Sequence, residues 1–159
     1  MATETATAAN EVSTETGDWK AGVAGGLAGS VVFGLVITYL IPAPLLGVVI
    51  PSMYGLAPPA APFAGWVIHM AHGAVLGVGF AALVGLSPST GESTEASIGA
   101  GAAYGLAVWV ALAVIVMPIW LSAVGSPANP PLPNVSALSA IGHLAYGVVL
   151  GGAYAGLAN

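Results

Sequence analysis

Residues 66–83 read WVIHMAHGAVLGVGFAAL (Trp66 to Leu83), and residues 140–157 read AIGHLAYGVVLGGAYAGL (Ala140 to Leu157). Laid over each other at a shift of 74, eight of the eighteen positions are identical. His69 falls on His143, Gly73 on Gly147, Leu76 on Leu150, Gly77 on Gly151 and Ala81 on Ala155, while His72 meets Tyr146 and Phe80 meets Tyr154. Neither stretch holds a charged residue, and each approaches the roughly 20 apolar residues that a helix needs to cross a bilayer. Outward from them the pattern persists: Ala21 to Gly91 and Ala96 to Asn159 contain no Asp, Glu, Lys or Arg. Each uncharged stretch has room for two crossings and a turn. The fold expected is therefore an all-α integral membrane four-helix bundle built from two similar helical hairpins, with repeats at about 20–86 and 96–157. A shift of 76 lays the first helix over the third, Gly25 on Gly101, Gly29 on Gly105, Phe33 on Trp109 and Pro42 on Pro118. Gly/Ala-rich composition alone accounts for that second overlay. In the first, the rare histidine and the bulky positions match as well, so it reads as a duplication.

Composition agrees. Of 159 residues, 57% are hydrophobic and 4% charged, against roughly a quarter charged in a soluble domain, and the mean hydropathy is +0.95. A water-soluble fold is excluded. The chain has no cysteine, which removes disulfides, thiolate metal sites and thiol catalysis together. Lys20 is the single basic residue, so there is no footprint for nucleic acid. The acids are Glu4, Glu11, Glu15, Asp18, Glu92 and Glu95; residues 1–19 read as a disordered acidic tail without the features of a cleaved signal peptide.

Helices are expected at Lys20 to Ile41, Phe63 to Leu86, Ala96 to Leu121 and Val135 to Leu157, with prolines marking the gaps and Pro118 kinking or closing the third. Leu45 to Leu56 is too apolar for a free loop and too short to span, so it lies at the interface or re-enters between helices. An even number of crossings places both termini and the Glu92/Glu95 loop on one side. Lys20 votes for the cytoplasm, giving a multi-pass protein of the plasma membrane with both termini inside. Gly25 and Gly29, Gly73 and Gly77, Gly101 and Gly105, and Gly147 and Gly151 form small-residue seams at spacing four, where backbones approach closely.

The polarity left in the membrane gathers on the side away from the charges. His69, His72 and His143 share one layer with Met117, Ser139 and Tyr146, and with Thr38 and Tyr39 at similar depth. Intramembrane ionisable residues mark functional sites by default, and four readings stand open. The imidazoles serve as glue between helices; or His69 or His72 grips a haem iron with His143 from the other half, Met117 being a variant ligand; or the three histidines hold copper or zinc, without support from any carboxylate; or they relay protons together with Tyr146. No catalytic set is visible. Ser139 and His143 are four apart on one helix face, but no orienting acid or oxyanion hole accompanies them. No metal ligand set is assigned.

The ordered elements Gly65-Trp66-x-x-His69 with Gly73, Gly101-x-x-Tyr104-Gly105 with Trp109 and Met117-Pro118, and Ser139-x-x-Gly142-His143-x-x-Tyr146-Gly147 with Leu150-Gly151 resemble a family of small four-helix membrane proteins known as a domain of unknown function. The resemblance covers about Ala21 to Leu157 and implies four crossings and a common design around His69 and His143, with no established reaction. A weaker likeness is to minor subunits that accompany haem–copper oxidases. The expectation is thus a non-enzymatic structural or accessory subunit of a membrane complex, a respiratory one in that likeness. Its partners would be the lipid bilayer and either other membrane subunits or a second copy of itself. The alternatives are a haem- or metal-binding redox protein using His69 and His143, and a proton or small-solute channel.

Overall fold

Asp18 sets the start of the first helix. Its Oδ1 accepts from the amides of Lys20 and Ala21 at 2.9 and 3.1 Å, satisfying N–H groups that a helix start leaves without partners. The computed structural model describes residues 17–41 and 44–158, and within them the chain is all-helical. Four long helices are each apolar enough to cross a membrane: α1 Trp19–Leu40, α2 Pro62–Leu86, α3 Thr94–Ala123 and α4 Ala137–Leu157. The expected disordered tail lies outside the described residues up to residue 16; its last part is ordered, since Asp18 caps α1 and Trp19 is already helical. α3 begins a little earlier than expected because Ser93 caps it, accepting from the Ala96 amide at 3.1 Å. α4 begins later because Ser136 is its cap, accepting from the Ser139 amide at 3.3 Å.

Within each hairpin the helices touch backbone to backbone. A Cβ on Gly26 would run into the Gly73 carbonyl, and one on Gly77 into the Gly22 carbonyl. In the second hairpin a Cβ on Gly101 would strike the Gly147 carbonyl, and one on Gly151 the Ser97 carbonyl. The rows that meet are therefore Gly22, Gly26 and Ser30 against Gly77, Gly73 and His69, and Ser97, Gly101 and Gly105 against Gly151, Gly147 and His143. The second members keep the offset of 74. The first members differ by 75, one residue off the overlay at 76. Gly25 and Gly29, which that overlay pairs with Gly101 and Gly105, turn about 100° away and pack on α4 instead, where Cβ atoms would lie 2.9 Å from the Leu150 carbonyl oxygen and 2.7 Å from that of Tyr146.

This third seam, α1 against α4, has no equal between α2 and α3. At the offset of 75, Gly29 corresponds to Tyr104, a full aromatic residue. Its ring rests on Phe80 at 5.6 Å between centroids, and its hydroxyl donates to the Leu76 carbonyl at 2.8 Å. The Tyr104 side chain thus bridges α2 and α3 where a glycine would have let backbones meet. Toward the charged side the cluster of Phe80, Tyr104, Leu150 and Tyr154 closes the bundle. The Tyr154 hydroxyl also accepts from the Asp18 amide at 3.0 Å, joining the start of α1 to the end of α4 on that face.

α3 runs through Pro118 without ending there. Proline has no N–H for the carbonyl four residues back, which is Val114. That carbonyl accepts from the Asn134 amide of the following loop at 3.0 Å, and the Asn134 side chain donates to the Ala113 carbonyl at 3.3 Å. The turns before the proline, Trp109–Val116, widen to π geometry, and the Met117 amide reaches the Leu112 carbonyl. Such widening is a known way for a helix to absorb an interruption.

The segment from Leu45 turns back onto the bundle and packs against α2. It forms a π-helical turn, Leu45–Val49, and a short α-helix, Ile50–Ser52. Leu46, Val49, Pro51 and Ser52 are buried. Its entry is set by Gly65, where a Cβ would collide with the Leu46 carbonyl, and its exit by the Ala61 amide donating to the Gly47 carbonyl at 2.7 Å.

Candidate functional site

Between α2 and α3, on the proline-rich side of Tyr104, lies a cavity of about 500 Å³. α1 contributes Ser30, Phe33 and Ile37; α2 contributes His69, His72 and Leu76; α3 contributes Val108, Leu112 and Met117; α4 contributes Ser139, His143 and Tyr146. The turned-back segment lies across the end with Leu45, Ile50 and Tyr54. It is fastened there by the Trp120 indole donating to the Met53 carbonyl at 2.9 Å and by a 2.8 Å hydrogen bond between the Ser52 and Ser126 hydroxyls. On the lipid side the lining includes Val75, which is 71% exposed, together with the exposed Leu112 and Val116. The cavity therefore reaches the outer surface where α2 and α3 part.

All six residues of the layer singled out in the sequence, His69, His72, His143, Met117, Ser139 and Tyr146, line this one cavity. Thr38 and Tyr39 do not. The Thr38 hydroxyl turns back to the Gly34 carbonyl at 2.7 Å, and Tyr39 is 77% exposed, pointing outward. Sequence reasoning missed Ser30, Phe33 and Tyr54. Ser30 had a signal, since it continues the spacing of Gly22 and Gly26 by four. Tyr54 had none, because its place depends on how the segment from Leu45 folds back.

The histidines are held differently. His69 Nε2 lies 2.9 Å from the Ser30 carbonyl oxygen, and His143 Nδ1 lies 2.8 Å from the carbonyl oxygen of Ser139. A carbonyl only accepts, so each of these nitrogens carries the proton. The acids of the described residues, Asp18, Glu92 and Glu95, lie at the other end of the bundle, so no counter-ion faces these rings and both are neutral imidazoles. His69 is then the Nε2–H tautomer with Nδ1 bare, and His143 the Nδ1–H tautomer with Nε2 bare. Both rings rest on Phe33, at 5.5 and 4.5 Å between centroids, and the Phe33 ring occupies the place a Cβ on Gly142 would take. His72 is linked instead to the turned-back segment, its Nε2 2.6 Å from the Tyr54 hydroxyl. The Tyr146 hydroxyl donates across the bundle to the Gly73 carbonyl at 2.9 Å.

These positions bear on each chemistry weighed above. The Ser139 hydroxyl does not reach His143, whose bond goes to the Ser139 carbonyl, so the helical pair forms no nucleophile–base couple. Among the described residues no three of His, Asp and Glu converge as a metal-binding group. A bis-imidazole grip on haem fits poorly: the His69 Nε2 is engaged with a backbone carbonyl and both rings already lie against Phe33. What the arrangement does offer is a hollow of largely apolar walls with bare imidazole nitrogens. The Ser30 hydroxyl, 1% exposed and without a hydrogen-bond partner, a rarity for a buried hydroxyl, is packed against Gly73 in the α1–α2 seam. Compared with known proteins, the chain matches no protein family, no curated protein and no solved structure.

Proposed function

We propose that this is a non-enzymatic, multi-pass membrane protein that takes a lipid-soluble molecule from the bilayer into the cavity between α2 and α3. One observation carries the reading: the seam that closes α1 on α4 is replaced by a Tyr104 strut at the corresponding place, and the space left open is lined by every polar side chain of the histidine layer that faces inward. Cavities of this size, apolar with a few placed polar groups, are the usual form of a small-molecule site. The matched glycine pairs support the view of the two hairpins as a duplicated unit that later diverged on one flank. The same design supports the likeness to the family of small four-helix membrane proteins. Lys20 at the start of α1 supports a plasma-membrane topology with both termini in the cytoplasm.

The accessory-subunit role expected from the glycine faces is compatible with this, with the bound molecule as what the subunit brings. The seams themselves are engaged within the bundle and offer no partner surface. The channel reading has less behind it, because buried Phe80, Ala81 and Leu150 stand between the histidine layer and the charged side.

Native mass spectrometry with decanol, decyl hydroquinone and their methyl ethers as probes tests the proposal. At least one binds at a ratio of one per chain, and Val108→Phe, which adds volume at a buried residue of the lining, removes it without loss of the folded bundle. Binding that survives Val108→Phe unchanged, or no binding of any of the four probes, refutes the cavity reading.

A further inference from the structure

We infer that the molecule this cavity selects carries a hydroxyl head on an apolar body, and that the head donates to the bare His143 Nε2. The inference rests on the cavity reading above and adds the polarity of the ligand. Its first support is the tautomer pattern. Carbonyls hold the protons on His143 Nδ1 and His69 Nε2, which leaves His143 Nε2 and His69 Nδ1 as acceptors in a hydrocarbon setting, where nothing but a ligand or a stray water satisfies them.

The second support is the setting of those nitrogens. Both rings line the cavity, whose walls are otherwise largely apolar, whereas the Ser30 Oγ is packed against Gly73 in the α1–α2 seam and closed to it. A group that donates to one of these nitrogens supplies the bond the chain leaves unmade.

These nitrogens define the head, which must donate to an imidazole acceptor. A hydroxyl does so. A ketone or an ether only accepts, and leaves the imidazole nitrogen bare. The rest of the lining, Leu76, Val108 and Leu112 among it, suits an aliphatic or aromatic body, and the exposed Val75 marks where such a body reaches the lipid. Phenolic heads, as in a hydroquinone, and alcohols, as in a neutral lipid or prenol, share this chemistry.

The test pairs each hydroxyl with its methyl ether: decyl hydroquinone against its dimethyl ether, and decanol against decyl methyl ether, titrated into the full-length protein in detergent. In the native chain at least one hydroxyl probe binds about tenfold more tightly than its ether, the scale of one well-made hydrogen bond, and the pair that shows the larger ratio tells phenol from alcohol. His143→Phe keeps a ring against Phe33 and brings the ratio to about one, while His143→Gln, which retains an acceptor, keeps part of the preference. Equal binding of hydroxyl and ether in both pairs overturns the inference and leaves the cavity reading standing. Absence of binding by all four probes removes both. The native ratio decides even if His143→Phe does not fold.

Discussion

The two flanks of α1 and α3 make the most informative comparison in the molecule. On one flank α1 lies against α4, with Gly25 and Gly29 admitting the carbonyl groups of Leu150 and Tyr146. On the other, α3 stands off α2, and Tyr104 spans the distance to the Leu76 carbonyl. Since Leu76 and Leu150 occupy matching places in the two hairpins, the same carbonyl is met by a glycine-bearing backbone on one side and by a phenol on the other. Replacing a glycine by a tyrosine turns a packed seam into a hollow. Two similar hairpins need not give two similar interfaces, and the site lies where they differ.

That contrast can be broken from its tightest point. Gly26→Leu forces a branched side chain onto the Gly73 backbone inside the first hairpin and lowers stability by about 3 kcal/mol, read as loss of the folded fraction when the protein is titrated with a denaturing detergent. Gly29→Ala attacks the closed flank more gently. The added methyl would lie 2.7 Å from the Tyr146 carbonyl oxygen, and the cost is about 2 kcal/mol, with the same titration as the measure. Tyr104→Phe leaves the strut in place and deletes only its bond to Leu76. Its cost is about 1 kcal/mol, and the probe binding of native protein is retained because the gap keeps its width. A loss from Tyr104→Phe as large as that from Gly26→Leu would mean that the hydroxyl, not the ring, keeps the helices apart.

Much of the frame was open to reading from the chain alone. Long uncharged stretches bounded by Asp18, Glu92 and prolines give the four spans, because a bilayer tolerates little else. The histidine layer was legible for the same reason, since depth follows from counting residues along a helix. Rotation did not follow. α1 carries two overlapping rows of glycines, Gly22 with Gly26 and Gly25 with Gly29, and residue identity favours the second row as the counterpart of Gly101 and Gly105. Packing selects the first, one residue away, and with it Ser30 enters the site. Nor do the residues near Pro118 announce that a distant Asn134 takes up the carbonyl the proline leaves, or that the turns before it widen. Those features depend on where the last loop folds, which only three-dimensional packing decides.

The third helix is also the longest, at 30 residues. At a rise of 1.5 Å per residue an α-helix of that length extends about 45 Å, while the hydrocarbon of a bilayer is roughly 30 Å thick. A rod that exceeds its film must lean or carry its ends into the headgroups. The lean is set partly by the lipid, and this helix forms one jamb of the doorway beside Val75. Membrane thickness therefore enters the geometry of the site through a single helix, as a mechanical variable that no side chain supplies.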